Sequence, residues 1–185
     1  MTRNHLTMVR MAGVASALAL TAALIAAPGP AGADEVAENW LTERLAFEGA
    51  VSITVTQRLE GLDPQEVEIE DGSHFAVAEF TLPPETVFPW HTHPGTLLIG
   101  VEEGAFVIVF AEDCVERELS AGSVIVDPGI AEHMAWNPSS DSETVLVATY
   151  LGVPEEGPLT LPVDEDEAAA LDESCAIEAP GEHAH

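Results

Sequence analysis

The chain has 185 residues, with 33 Asp and Glu against five basic side chains, for a formal net charge of −28 at pH 7. All five basic residues are arginine, and a surface of this sign repels the phosphates of nucleic acid and the headgroups of anionic lipid. Both are excluded as partners, and the length suits one domain with a real core, once a leader is set aside.

Residues 1–33 read as that leader. Arg3, His5 and Arg10 form a basic head, Met11 to Ala27 is almost wholly small or apolar, and Ala31-Gly32-Ala33 has the A-x-A form of a cleavage site. The apolar stretch is shorter than the roughly 20 residues a spanning helix needs, and Pro28-Gly29-Pro30 breaks it. No cysteine lies near the cleavage site, so no lipid anchor is indicated. The expectation is a Sec-type signal peptide and a secreted or extracytoplasmic protein, with no membrane contact after cleavage. Its removal takes two arginines and no acid, leaving three arginines against all 33 acidic residues.

Val36, Trp40, Leu41 and Leu45 recur at near-helical spacing and predict a short helix over Asp34–Phe47, within an N-terminal helical segment at 34–50. From Val51 the period becomes two, with Val51, Ile53 and Val55 alternating with Ser52, Thr54 and Thr56. Gly61–Gly72 reads as a polar, acidic connection. Strands are then predicted at Phe75–Leu82, Val87–His91, Thr96–Val101, Ala105–Phe110, Val115–Leu119, Ser123–Val126, Glu132–Trp136 and Thr144–Leu151. Turn signals such as Pro83-Pro84, Pro94-Gly95, Glu103-Gly104 and Pro128-Gly129 separate them. Many short strands with evenly spaced turns give an all-β sandwich or small barrel over 51–152. Residues 153–185 are rich in Pro, Glu, Asp and Ala and read as an irregular acidic tail, with Leu159-Thr160-Leu161 able to add a strand. Cys114 and Cys175 predict one disulfide tethering that tail, as suits an exported protein.

The chemistry of the chain is concentrated in three histidines. His91 and His93 stand in Pro89-Trp90-His91-Thr92-His93-Pro94-Gly95, and residues i and i+2 of a strand point the same way. His133 follows in Asp127-Pro128-Gly129-Ile130-Ala131-Glu132-His133. Three neutral imidazoles meeting at one point can hold a single divalent transition metal: Zn, Cu, Mn, Fe or Ni. The alternative is three hydrogen-bonded histidines in a metal-free apolar pocket. His183 and His185 at the terminus could bind a stray ion but read as a solvated end.

From about Pro84 to Asn137 these residues resemble the cupin superfamily, and the flanking strands extend the resemblance to roughly Val51–Leu151. His91, His93 and Gly104 fall at the spacing of the first cupin motif. Gly122, Pro128, His133 and Asn137 fall at that of the second. The resemblance implies a jelly-roll β-barrel (a double-stranded β-helix) and makes the three histidines metal ligands. Three positions depart: Glu85 and Ile130 stand where the family has glycine, and Leu97 stands where it has its metal-binding glutamate. An isobutyl group cannot donate to a metal, although thiol dioxygenases within the superfamily use three histidines without a carboxylate. Among nearby acids, Glu103 reads as capping a turn and Glu79 as facing solvent. Asn137 reads as fixing a turn, and Trp90, Trp136, Phe106, Phe110 and Met134 as packing residues.

Two functions follow from the resemblance. The first is an exported metal-dependent oxidoreductase, dioxygenase-like, acting on a small organic molecule. The second is a non-catalytic module of the envelope or extracellular space that binds a small ligand or a metal. A structural envelope protein with a vestigial pocket is a weaker third, and a homodimer is expected from the family only.

Overall fold

The computed structural model describes residues 42–49, 51–58, 64–177 and 179–180. The expected signal peptide, and residues 34–41 of the expected helix, lie outside the described residues. The strands run β1 Thr42–Ala46, β2 Ile53–Gln57, β3 Gln65–Ile69, β4 His74–Leu82, β5 Val87–Thr92, β6 Thr96–Glu103 and β7 Ala105–Phe110. They continue as β8 Arg117–Ser120, β9 Val124–Asp127, β10 His133–Trp136, β11 Thr144–Leu151 and β12 Leu161–Pro162, followed by helix α1 at Glu165–Cys175.

One sheet has the order β1-β4-β11-β6-β9, the other β12-β5-β10-β7-β8, and β2-β3 form a separate hairpin. All pairings are antiparallel. Each ladder among the described residues lies within one sheet, so the two do not close into the expected barrel; they face each other as an open two-layer β fold. Alternation in β4 turns Ala76, Ala78, Phe80 and Leu82 inward and leaves Val77, Glu79 and Thr81 outside. Leu97, Ile99 and Val101 of β6 and Leu146, Ala148 and Tyr150 of β11 extend the same inner layer. Leu82, Leu97 and Ile108 are among the largest side chains that are fully buried, each contributing roughly 1.5–3 kcal/mol of transfer free energy.

The centre of the second sheet is buried on both faces, which explains why β7 and β10 are apolar at both parities. Phe106, Ile108 and Phe110 face the first sheet, while Val107 and Val109 face outward with Trp90, Met134 and Trp136. That outer face is covered by α1 through Ala168, Leu171 and Cys175. Trp90 donates its indole N–H to Asp172 on the helix (2.7 Å), and the Cys114–Cys175 disulfide ties the helix end to the β7–β8 connection. Asp164 caps the helix by accepting from the Glu167 backbone N–H.

Three expectations are corrected here. Thr42–Ala46 is a strand, not the end of a helix, because its backbone is claimed by β4 in the register Thr42↔Ala78 to Ala46↔His74; a tertiary ladder overrides helical spacing. The acidic connection 61–72 contains β3, whose Val67 pairs with Val55 of β2. The tail is not irregular throughout its described residues: Asp164-Glu165-Asp166-Glu167 is a capped, acidic helix start whose charges suit the positive N-terminal end of the helix dipole.

Candidate metal centre

Strands β5 and β10 bring the histidines together, pairing His133 directly with His91. The ladder then slips, with Ala135 opposite Phe88, so β5 holds one extra residue at Pro89-Trp90. A bulge of this kind tolerates proline and re-aims the side chains beyond it. It turns both Phe88 and His91 toward the inner layer and leaves Trp90 on the outer one. His93 lies one residue past β5, where its N–H donates to the Gly129 carbonyl (2.7 Å). That contact needs Gly129: its φ is +85°, and a Cβ there would lie 2.0 Å from the Gly95 carbonyl oxygen. The glycine that the family carries at 130 is thus supplied one position earlier, and Ile130 is 85% exposed.

All three histidines are buried. Their ring centroids lie 4.8 Å (His91–His93), 4.2 Å (His91–His133) and 5.0 Å (His93–His133) apart, and their candidate ligand atoms all lie within 4.8 Å of one another. Each Nδ1 meets a backbone carbonyl: His91 that of Pro89 (2.6 Å), His93 that of Leu159 (2.7 Å) and His133 that of Ala131 (2.8 Å). A carbonyl can only accept, so each Nδ1 carries the proton and each Nε2 keeps its lone pair. Burial, reinforced by the neighbouring imidazole, holds all three pKa values down to about 3. Neutral rings with fixed tautomers and free Nε2 atoms are what a divalent transition ion takes from histidine.

A fourth group stands beside them. Asp127, the last residue of β9, is fully buried. Its Oδ1 accepts from the Gly129 N–H (2.8 Å), while Oδ2 lies 3.1 Å from His133 Nε2 and 3.5 Å from His93 Nε2. Those nitrogens have no proton to give, and Oδ2 has no hydrogen-bond partner. Burial pushes the Asp127 carboxyl up to about 7, against the lowering effect of the Gly129 N–H. Burial and the nearby Asp127 also raise the Tyr150 hydroxyl, whose ring lies 5.5 Å from that of His93. Sequence reasoning missed Asp127 because Asp-Pro-Gly reads as a turn; the only signal was an acid at the end of an apolar strand. Glu79 and Glu103 are both exposed, as their solvent-facing and turn-capping readings require.

The histidines form part of the wall of a cavity of about 520 Å³, whose other walls include Phe80, Phe88, Leu97, Ile108, Leu146 and Tyr150. Leu97 turns the position of the family glutamate into apolar wall. Arg44 is the one arginine among the lining residues, and its guanidinium is held by the carbonyls of Pro154 and Gly157. Asn137 fixes a turn as expected, donating to the carbonyls of Leu82, Pro83 and Ser142. The structure pairs Cys114 with Cys175.

The family model described as "Cupin domain" matches residues 78–150. No curated protein matches the chain. Among solved structures, the polyketide cyclase RemF from Streptomyces resistomycificus is 22% identical over 51% of this chain and 65% of its own, with a TM-score of 0.42. A cupin-like protein from Thermotoga maritima is 24% identical over 52% of this chain and 72% of its own (TM-score 0.41). The DMSP lyase DddQ from Ruegeria pomeroyi is 18% identical over 48% of this chain and 43% of its own (TM-score 0.42). The chain thus spans just under two thirds of the cyclase and less than half of the lyase.

Proposed function

We propose, from the match of residues 78–150 to the cupin-domain model, an exported protein that binds one divalent transition metal through His91, His93 and His133 and turns over a small, largely apolar organic molecule in the adjoining cavity. The observation that carries this reading is the commitment of all three Nδ1 protons to backbone carbonyls, which leaves three neutral Nε2 lone pairs in one buried cluster. A bound ion would supply Lewis acidity and, for copper, iron or manganese, redox capacity. The chain's own part is to hold the imidazoles in register and to surround the substrate with aromatic and branched apolar walls. Those walls exclude water from the reacting face. Oxidoreductase chemistry of the dioxygenase type is the first reaction class to test. Export is supported by the leader pattern at 1–33 and by the disulfide, which suits an oxidising compartment.

Protein purified without a histidine tag should hold about one equivalent of transition metal, and His93→Ala should hold none. Oxygen consumption with a panel of phenolic, thiol and diketone compounds then tests the reaction class. A full metal complement with no turnover on that panel favours the non-catalytic binding module. Absence of metal in the wild type overturns the reading.

A further inference from the structure

We propose that Asp127 is a fourth protein ligand of the metal, its carboxylate arriving from β9 in place of the glutamate that Leu97 has displaced on β6. The inference rests on the metal reading of the three histidines and adds a residue that this reading does not require.

Register carries the argument. Leu97 and Asp127 are directly paired across the β6–β9 ladder, and paired residues of antiparallel strands project from the same face with Cβ atoms about 4.5–5.5 Å apart. A carboxylate lost from one strand is therefore recovered from its neighbour, aimed into the same space between the sheets. Its position suits the task. Asp127 is fully buried, and its Oδ2 faces the Nε2 atoms of His133 and His93 at 3.1 and 3.5 Å. That oxygen is also a buried side-chain polar atom without a hydrogen-bond partner among the described residues. An ionised carboxylate oxygen and two acceptor nitrogens turned toward one another repel unless a metal ion, or a proton on Oδ2, sits among them, and only the metal engages all of these donors at once. A turn-forming role accounts for Oδ1, which the Gly129 N–H holds, but it leaves the burial and aim of Oδ2 unexplained.

The test uses Co(II) as the probe with the full mature protein. Asp127→Asn keeps an oxygen for the Gly129 N–H and removes the anionic donor. Wild type and variant are titrated with Co(II), reading affinity and the visible absorption bands, which report the donor set. The account predicts affinity roughly 100-fold or more weaker in the variant, above the 10- to 100-fold typical for losing a mere partner of a ligand, with altered bands. Equal affinity and identical bands would overturn the assignment of Asp127 while leaving the three-histidine reading intact. A wild type that takes up no Co(II) would overturn both. Should the variant not fold, the Co(II)-loaded wild-type crystal structure decides: Oδ2 within about 2.2 Å of the ion supports the assignment, and beyond roughly 3 Å it fails.

Discussion

Three carbonyl groups do the work that defines the centre at the residue scale. His91 and His133 each bond the carbonyl two residues before them, so local chain geometry alone fixes those two rings. His93 bonds Leu159, 66 residues away, so its orientation depends on the segment leading into β12. The same scale shows why the glycine of the first motif can be missing. Glu85 occupies that position with φ +58°, a left-handed conformation costing a non-glycine residue about 1–2 kcal/mol. Its side chain is exposed, and its N–H reaches the Ser139 carbonyl, a bond glycine keeps. Glu85→Gly should therefore stabilise the protein, by about 0.5–1 kcal/mol once the greater unfolded freedom of glycine is deducted; denaturant unfolding measures it, and a loss of stability would refute the strain argument. The histidines were legible in the sequence because period two and motif spacing are local. Asp127 was not, because its role arises from cross-strand register with Leu97 and from contact with rings on the facing sheet.

Among the elements, β5 and α1 show where local patterns suffice and where they fail. The His-x-His spacing correctly places two imidazoles together, but the bulge at Pro89-Trp90 that turns His91 inward appears only when β5 is laid against β10. Thr42–Ala46 reads as helix in isolation and is a strand in the fold, because β4 offers a free edge. In the tail, abundant acid and proline masked a helix that the Asp164 cap and the outer apolar face of the second sheet stabilise together. That face also bears the disulfide, which spans 61 residues and in the chain-entropy model contributes on the order of 4 kcal/mol. Cys175→Ser, or reduction of the wild type, should lower stability by about 2–4 kcal/mol and raise amide exchange in α1 before the sheets. Unchanged exchange in α1 would show that Trp90, Asp172 and the apolar contacts hold it unaided.

Over the whole molecule, an acidic shell surrounds an apolar interior in which the polar groups of the centre are gathered between two sheets. Charge and the predominantly β class were readable from composition and turn spacing. The open edges of the sheets were not, because closure depends on pairing between distant strands. A metal bound across β5 and β10, with or without β9, would stabilise the fold by mass action, by about 2.7 kcal/mol at a free concentration 100 times the dissociation constant. Chelation should accordingly lower the thermal midpoint, and re-addition of one equivalent should restore it; a midpoint indifferent to both would mean that the folded state binds no ion. The most direct test of the centre is calorimetric titration of metal-free protein with Zn(II), in a background where His183 and His185 are changed to Ala. The account predicts one saturable high-affinity equivalent, abolished separately by His91→Ala, His93→Ala and His133→Ala. A variant lacking any one of these imidazoles that still binds as tightly as the parent would contradict it.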